Sequence, residues 1–254
     1  MDALRLESPS HPRMGTSIPD DNCWMNLLRK FRSMADSIGT GNALLYAASR
    51  MLDRSFRGRV RIVKYLITAQ PVAALATQLP SGSGAFTLSF IGPDSPLFAE
   101  VERPSQVIAA RYAQGARCLA ATTPESRLAG FLWYVAGAYD EDEVRARFLP
   151  LPTGEAAWDF DVTILPRYRM GRLFGYLWRR AASELESAGI KHTLSRISAF
   201  NAMSMSAHRR LGARTVGQSI FLCLGSCQVM MSTISPRWHV SWRDDQRPVV
   251  AVAA

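Results

Sequence analysis

The sequence predicts an α/β fold with a mixed central sheet flanked by helices and preceded by an N-terminal helical extension. Strand-like segments come first as hairpins and later in strand–helix–strand order, which is the pattern of a mixed sheet. The chain has 254 residues, of which 48% are hydrophobic and 20% charged, a composition typical of globular proteins. This length fits one large domain, or one domain of about 170 residues with an extension.

The first 84 residues predict two N-terminal segments. Residues 1–22 are polar, contain prolines and lack periodicity, so they are expected to form a disordered tail. Residues 23–84 are expected to form the extension. Within it, apolar residues recur at helical spacing from Trp24 to about Arg57, and a strand-like run follows from Val60 to Thr68. The run LPSGSG at 79–84 is a break in composition and predicts the domain boundary.

Residues 85–235 are expected to hold the main domain, followed by a C-terminal tail at 236–254. Polar and apolar residues alternate in 158–165, which predicts a strand with Trp158, Phe160, Val162 and Ile164 on one side. Residues 171–188 carry one apolar stripe, which predicts a long amphipathic helix that ends at Gly189. The other predicted elements are strands at 86–91, 117–122, 128–139, 192–200, 216–224 and 228–234 and helices at 104–114 and 202–211.

The positive charge is unevenly distributed along the chain. The formal net charge is +9, and the two basic clusters lie at 54–64 and 167–180, while acidic residues collect at 140–143. A nucleic-acid-binding surface would interleave cations with exposed aromatic residues. Here the cluster at 167–180 coincides with a turn into a helix, which favours a phosphate group as the ligand. We therefore expect no nucleic-acid partner, and we interpret 54–64 as a solvated face.

Cysteine content and hydropathy predict a cytoplasmic, reduced protein. The four cysteines are too few for a disulfide scaffold. Cys223 and Cys227 precede His239, but no second pair of ligands follows, so no metal site is expected. The longest uncharged stretch, 65–93, is broken by prolines and glycines, which excludes a membrane-spanning helix there. The first 20 residues lack the apolar run of a signal peptide.

The first motif lies at the start of the long helix. Ile164 to Gly175 have the sequence ILPRYRMGRLFG, a strand end followed by a turn and a helix N-terminus. A helix N-terminus offers free backbone N–H groups and a positive dipole end. Arg167, Arg169 and Arg172 add positive charge at the same place. The segment therefore predicts a pyrophosphate site.

The second motif follows the next predicted strand. Residues 201–213 have the sequence NAMSMSAHRRLGA. The two motifs together resemble those of the GNAT (GCN5-related N-acyltransferase) superfamily. Its members place a Pro-x-Tyr-Arg turn and a glycine-rich loop before a long helix. After the next strand they place an Asn, a small residue three on, an aromatic residue seven on and a Leu-Gly pair. In this chain these positions hold Asn201, Ser204, His208, Leu211 and Gly212.

The chain departs from the family pattern at two places. The family loop has the form Arg/Gln-x-x-Gly-x-Gly/Ala, and with Arg169 in its first place Gly171 and Gly175 are each one position out of register. This favours a loop that offers fewer free amides and relies more on arginine side chains. The family tyrosine that protonates the departing thiolate is replaced by His208, whose protonated imidazole could supply the same proton. The alternative interpretation of His208 is a half-buried packing residue.

The resemblance implies direct transfer of an acyl group from acetyl-CoA or a longer acyl-CoA to a small-molecule primary amine. The thioester would lie between strands 158–165 and 192–199, with its carbonyl polarised by a backbone N–H near Ile164–Leu165. No metal takes part. The residues implied to contact acyl-CoA are Ile164, Leu165, Arg167, Arg169, Met170, Gly171, Arg172, Leu173, Phe174, Asn201 and Ser204.

An amine acceptor must lose a proton at neutral pH, so a carboxylate base is expected. Asp161 is the first candidate because it lies three residues before Ile164, and Asp159, Glu143 and Glu141 follow. Pairing of the two aspartates with Arg196 or Arg145 is the structural alternative. The acidic run at 140–143 could attract a cationic substrate, or it could be a solvated loop.

Two other functions stay open. One is an enzyme similar to acyl-homoserine-lactone synthases, in which acyl carrier protein would be the partner, and the +9 charge suits such an acidic carrier. The other is a catalytically silent GNAT-like binding module. The sequence identifies neither the acceptor nor the acyl length, and it does not distinguish a monomer from an oligomer.

Overall fold

The computed structural model describes residues 21–78, 82–101, 103–169 and 171–254. The helices are α1 Asp21–Ile38, α2 Thr40–Ser55, α3 Val72–Gln78, α4 Ser105–Ala113, α5 Leu173–Ser187 and α6 Ala202–Arg210. The strands are β1 Val60–Pro71, β2 Thr87–Ile91, β3 Arg117–Thr122, β4 Leu128–Val135, β5 Tyr139–Asp140, β6 Arg147–Leu151, β7 Ala156–Ile164, β8 His192–Ser198, β9 Arg214–Leu224, β10 Cys227–Ser232, β11 Trp238–Ser241 and β12 Val249–Ala253. The predicted α/β class with helices at the N-terminal side is confirmed.

Nine strands form the central sheet, in the order β11-β10-β9-β1-β8-β7-β4-β3-β2. Among these described strands β7 and β8 make the one parallel pair, and every other neighbouring pair is antiparallel. The sheet is therefore mixed, as predicted. A second sheet of three strands, in the order β12-β6-β5, covers part of one face.

Strand β1, which lies in the predicted extension, is a central strand of the main sheet. It pairs with β8 on one side and with β9 on the other. Its inward-facing residues Tyr65, Ile67 and Ala69 are buried. The proposed division at residue 84 stays a prediction, but β1 shares one hydrophobic core with the strands that follow that residue.

Both termini of the chain differ in part from the predicted segments. Residues 1–20 of the predicted tail lie outside the described residues, and residues 21 and 22 begin α1. The predicted C-terminal tail contains β11, which pairs with β10, and β12, which pairs with β6. The β12–β6 pairing joins residues that are about 100 positions apart, such as Val249 and Arg147. Such a non-local pairing leaves no periodic signal in a five-residue strand.

A β-bulge interrupts the predicted alternation of residues 158–165. Asp161 has a φ of 47°, and the pairing register between β4 and β7 shifts at this point. Trp158 and Phe160 belong to the core on one face of the sheet, whereas Val162 and Ile164 pack against the core on the other face. The prediction that these four residues share a side is wrong, because a bulge adds one residue to its strand and reverses the faces beyond it.

Two apolar cores enclose the sheet. The first core lies between the sheet and the smaller sheet with α4, and it contains stacked aromatic pairs such as Phe148 with Trp158. The second core lies under α5, whose apolar stripe is buried as predicted. The buried α5 residues are Leu173, Leu177, Trp178, Ala181, Ala182 and Leu185. Helix α3, which was not predicted, packs on α5.

The close approach of β4 to the bulged strand requires a glycine at position 130. A Cβ at Gly130 would lie 2.7 Å from the carbonyl oxygen of Thr163 and 2.9 Å from the Cδ1 atom of Ile164. We expect Gly130→Ala to lower the free energy of unfolding by about 1–3 kcal/mol through overpacking, measured by urea denaturation. Gly92→Ala is the matched control, since no atom lies within 4 Å of its added Cβ. Equal stability of the two variants would contradict this account.

Candidate active site

A gap opens in the sheet where β7 and β8 separate. The two strands pair from Ala156 with His192 as far as Asp159 with Ser195. Beyond this point β7 continues to Ile164 and β8 to Ser198 without pairing. The separation begins just before the bulge at Asp161, which turns β7 away from β8. The gap is the V-shaped opening that the sequence resemblance implied.

The pairing register shows how the backbone N–H groups at the end of β7 are directed. Leu165 donates its N–H to the carbonyl oxygen of Ala129 at 3.0 Å, so Leu165 is not available to polarise a thioester. Directly opposite residues of an antiparallel pair alternate between bonded and non-bonded. The next pair, Ile164 with Gly130, is therefore non-bonded, and the N–H of Ile164 points away from β4. Of the two residues predicted to supply this N–H, the geometry favours Ile164.

The turn after β7 presents the predicted arginines around the start of α5. Arg169 donates from Nε to the carbonyl oxygen of Ile164 at 3.0 Å, and Arg167 donates to that of Leu128 at 3.4 Å. Arg172 is exposed and immediately precedes α5. Gly171 lies between them, and Met170 lies outside the described residues. Arg172 is thus the one of the three that directly precedes the helix, and the predicted contact of these arginines with a pyrophosphate stays a proposal.

The first turn of α5 provides backbone donors without helical partners. The first N–H that bonds back to a carbonyl of this helix is that of Tyr176, which donates to Arg172 at 3.1 Å. The N–H groups of Leu173, Phe174 and Gly175 precede it and have no acceptor within the helix. The side chain of Leu173 is in the core, so any contact from this residue to a ligand would come from its backbone.

The second motif caps and positions α6. The Oδ1 atom of Asn201 accepts a hydrogen bond from the N–H of Ser204 at 3.0 Å. This contact is a helix N-cap, which explains the spacing of the two residues. Asn201 is exposed and Ser204 is half-buried at the same end of α6. Their predicted contact with acyl-CoA stays a proposal.

His208 packs α6 against α5. Its ring meets those of Trp178 and Phe174 edge-on, with centroids 5.7 and 6.0 Å apart. The residue is 4% exposed, and its Nδ1 atom has no hydrogen-bond partner among the described residues. Burial lowers the pKa of His208 to about 4. The imidazole is therefore neutral at pH 7, which favours the alternative interpretation of His208 as a packing residue.

Asp161 is held by two arginines. Its Oδ2 atom lies 2.7 Å from Nη1 of Arg111 and 3.1 Å from Nε of Arg103. Burial raises the pKa of Asp161, but the hydrogen bonds and charges of Arg103 and Arg111 outweigh that effect and lower it. A carboxylate so paired is a weak base. The structure thus favours the structural alternative for Asp161, with Arg103 and Arg111 as the partners in place of Arg196 or Arg145.

Ion pairs at Glu141 and Asp142 tie the acidic run to the domain, which argues against a fully solvated loop. Glu141 is buried and forms a bidentate ion pair with Arg196, with distances of 2.6 and 2.9 Å. Asp142 lies 2.5 Å from Nη2 of Arg111. Arg111 therefore connects the acidic run to the bulge.

Glu143 is the exposed carboxylate of this run, and it lies beside the end of β8. Its Oε2 atom accepts a hydrogen bond from the hydroxyl of Tyr65 at 2.6 Å. Tyr65 is opposite Ser198, the last residue of β8. Tyr65 belongs to the first core, whereas His208 contacts Trp178 of the second. The gap thus lies between an acidic side with Glu143 and a side covered by α5 and α6.

Asp159 lies at the last paired position before the gap. It is 1% exposed, and its Oδ1 atom has no hydrogen-bond partner in the described part of the chain. Burial raises the pKa of Asp159 to about 7. The nearby hydroxyls of Thr193 and Ser195 lower this pKa in part, and the buried amide group of Gln70 has no hydrogen-bond partner among the described residues. Sequence reasoning ranked Asp159 second because Asp161 lies closer to Ile164 in the chain. The burial of Asp159 depends on packing across the sheet, which no local pattern shows.

The split parallel pair, the basic turn and the capped α6 agree with the mixed α/β fold that the resemblance to the GNAT superfamily implied. Neither a protein-family model nor a curated protein matches the chain.

Solved structures with a similar fold have low sequence identity. One is a conserved protein of unknown function from Staphylococcus epidermidis, with 9% identity, a TM-score of 0.48 and coverage of 69% of this chain and 67% of that chain. Another is a tandem GNAT protein from the clavulanic acid biosynthesis pathway, with 14% identity, a TM-score of 0.45 and coverage of 63% and 53%. A third, from Novosphingobium aromaticivorans, is assigned to the GNAT family, with 18% identity, a TM-score of 0.42 and coverage of 64% and 65%. The chain spans about half to two thirds of the length of these proteins.

Two further properties concern cofactors and membranes. No group of three His, Cys, Asp or Glu side chains in the described residues could hold a metal ion. None of the helices in the described ranges combines the length and the hydropathy that a bilayer span requires.

The raised pKa of Asp159 predicts a pH-dependent stability. Between about pH 4 and pH 7 the folded chain keeps a proton that the unfolded chain releases, so the free energy of unfolding decreases as the pH rises. Asp159→Asn removes this titration. The free energy of unfolding of the variant, relative to that of the parent, should therefore be higher at pH 8 than at pH 4, by on the order of 2–4 kcal/mol. Urea denaturation at both pH values measures the effect, with the exposed Asp244→Asn as the control. Parallel pH profiles of parent and Asp159→Asn would contradict the assignment.

Proposed function

We propose that the chain is an N-acyltransferase that transfers an acyl group from acyl-CoA to a primary amine on a small molecule. The observation that carries the proposal is the N–H of Ile164, which points away from β4 where β7 and β8 have separated, directly before a basic helix N-terminus. This arrangement supports a thioester carbonyl at Ile164. It also supports a diphosphate at the first turn of α5.

The residues that would hold acyl-CoA have separate tasks. The free N–H groups of Leu173, Phe174 and Gly175 would bind the diphosphate, and Arg172 would add charge. Arg169, through its contact with the carbonyl of Ile164, fixes the strand end so that the N–H stays in the gap. Bound acyl-CoA supplies the activated acyl carbon, and the chain supplies position and hydrogen bonds.

Glu143 is the proposed base. A primary amine reaches the acyl carbon from the acidic side of the gap, and its proton passes to the carboxylate of Glu143 as the C–N bond forms and the C–S bond breaks. The hydroxyl of Tyr65 holds that carboxylate in place at 2.6 Å. Asp161, the first candidate from the sequence, is already neutralised by Arg111 and Arg103.

Asp159 is the proposed proton donor to the departing thiolate, in place of His208. With a pKa near 7 it is largely protonated below neutral pH, and it lies where β7 and β8 part. His208, with a pKa of about 4, is neutral near pH 7 and so lacks the imidazolium proton that an acid would donate. The carboxyl of Asp159 is on the strand face next to the residues of the second core.

Removal of the cation before α5 should weaken binding of CoA. We expect Arg172→Ala to raise the dissociation constant of CoA by roughly tenfold, the worth of one partly exposed charge-assisted hydrogen bond. Isothermal titration calorimetry measures the constant. Arg214→Ala, an exposed arginine on β9, is the matched control. Unchanged affinity of Arg172→Ala for CoA would contradict the assignment of the diphosphate site to this helix end. Failure of the parent to bind CoA would favour the alternative of a silent binding module.

Glu143→Gln tests the base. The amide oxygen can still accept the hydrogen bond from Tyr65, so folding should be retained while proton acceptance is lost. We expect kcat for acetyl-CoA-dependent acylation to fall by roughly 10²–10⁴ with little change in the KM for acetyl-CoA. Asp140→Asn is the control in the same acidic run, since Asp140 pairs with Arg147. A kcat equal to that of the parent would reduce Glu143 to a surface residue.

A further inference from the structure

A cavity of about 550 Å³ lies beside the acidic run, at the end of the sheet where β8 leaves β7. Its walls are the acidic run with Glu143, the turn between β9 and β10 at Gly225 and Ser226, and the segment from Trp242 to Arg247. The volume is that of a small-molecule site. The cavity is on the same side of the gap as Glu143.

Four arginines line this cavity, and three of them keep a largely uncompensated positive charge, because among the described residues only Arg243 has a close carboxylate partner, Asp245. Each of the other three donates a hydrogen bond to a backbone carbonyl oxygen, which has no net charge. Arg61 donates to Glu143 at 3.3 Å, Arg145 to Ser226 at 2.7 Å and Arg247 to Glu141 at 3.1 Å. The nearest carboxylate to Arg145 is that of Asp244, at 3.9 Å and with a side chain that is 96% exposed. Such an exposed pair neutralises little charge.

Two carboxylates of the cavity wall are neutralised by arginines that lie outside the cavity. Glu141 is paired with Arg196 and Asp142 with Arg111, and neither of these partners lines the cavity. Glu143 has the uncharged hydroxyl of Tyr65 as its partner. The cavity therefore presents the carboxylates of Glu143 and Asp244 against Arg61, Arg145 and Arg247, which leaves a surplus of positive charge.

The position of Arg145 is fixed before any ligand binds. The buried side chain of Gln228 accepts a hydrogen bond from the N–H of Arg145 and donates one to its carbonyl oxygen, both at 2.8 Å. Two hydrogen bonds from one side chain to one backbone residue hold that residue rigidly, which lowers the ordering cost of binding.

We propose that this cavity binds the acceptor and selects a small molecule that carries an anionic group, carboxylate or phosphate, as well as its primary amine. The inference rests on the proposed acyl transfer for the role of the amine. The ammonium group of the acceptor lies toward Glu143, and its anionic group lies toward Arg61, Arg145 and Arg247. A simple amine leaves the three guanidinium groups without an anion and binds less tightly.

A matched set of four probes tests the selection on the full chain. Isothermal titration calorimetry compares 4-aminobutanoate, butylamine, butanoate and O-phosphoethanolamine, with no acyl donor present. We expect at least one of the two probes that carry both charges to bind at least about tenfold more tightly than butylamine and butanoate. Which of them binds more tightly distinguishes the carboxylate from the phosphate. The proposal is overturned if butylamine binds as tightly as 4-aminobutanoate and O-phosphoethanolamine. It is also overturned if neither doubly charged probe gives a heat of binding.

Arg61→Gln locates the site. We expect the affinity for the preferred probe to fall by roughly tenfold, while that for butylamine stays unchanged. Arg59→Gln makes the same charge change two residues away, on an exposed side chain outside the cavity, and should leave both affinities unchanged. Equal losses in the two variants would assign the effect to overall charge and overturn the site.

The outcome is separable from that of the proposed function. If the chain neither binds CoA nor transfers an acyl group but still prefers a doubly charged probe, the acyl transfer fails and the anion-selecting cavity stands. If acyl transfer to amines proceeds at equal kcat/KM with butylamine and with the doubly charged probes, the proposed function stands and the inference fails.

Discussion

The ion pairs of Arg111 hold the gap of this protein open. Asp161 has a left-handed backbone conformation that is costly for a residue with a side chain. Arg111, 3% exposed, compensates for that strain by binding Asp161 at 2.7 Å and Asp142 at 2.5 Å while its guanidinium lies over the rings of Trp133 and Phe160. Breaking a buried pair of this kind costs about 3–5 kcal/mol. One buried side chain therefore links the bulge in β7, where this strand diverges from β8, to the acidic run.

The two sides of the gap differ in charge. On the side of α5 and α6, the neutral ring of His208 packs with the rings of Trp178 and Phe174. Asp159 is buried on the same face of the sheet, so it keeps its proton up to about pH 7. On the other side, the carboxylate of Glu143 meets solvent. On the buried side, where little water is present, a hydrogen bond to the carbonyl of a thioester is strong and stabilises it more. A charged amine needs the wet side, where it can lose its proton.

The sequence predicted the elements that carry local signals and missed those that depend on distant contacts. The stripe of α5 and the two motifs lie within short segments, so their order and the fold type followed from spacing. The bulge did not, because Asp161 meets Arg103 and Arg111, which lie 58 and 50 residues earlier. The same limit explains His208: a helical position predicts which face a residue occupies, but burial by Trp178 and Phe174 decides its protonation.

Strand β1 connects the N-terminal helices to the chemistry of the site. Ser49 of α2 accepts a hydrogen bond from the N–H of Ile62, and Lys64 reaches Asn42 of the same helix, so α2 is tied to this strand. The other face of β1 supplies Arg61 to the cavity and Tyr65 to Glu143. Burial, followed by the charge of Glu141, raises the pKa of Tyr65 far above neutral, so its hydroxyl stays a donor. A phenol that never competes for the proton leaves Glu143 as the acceptor on this side of the gap. The strand therefore acts as a wall of the site as well as the centre of the sheet.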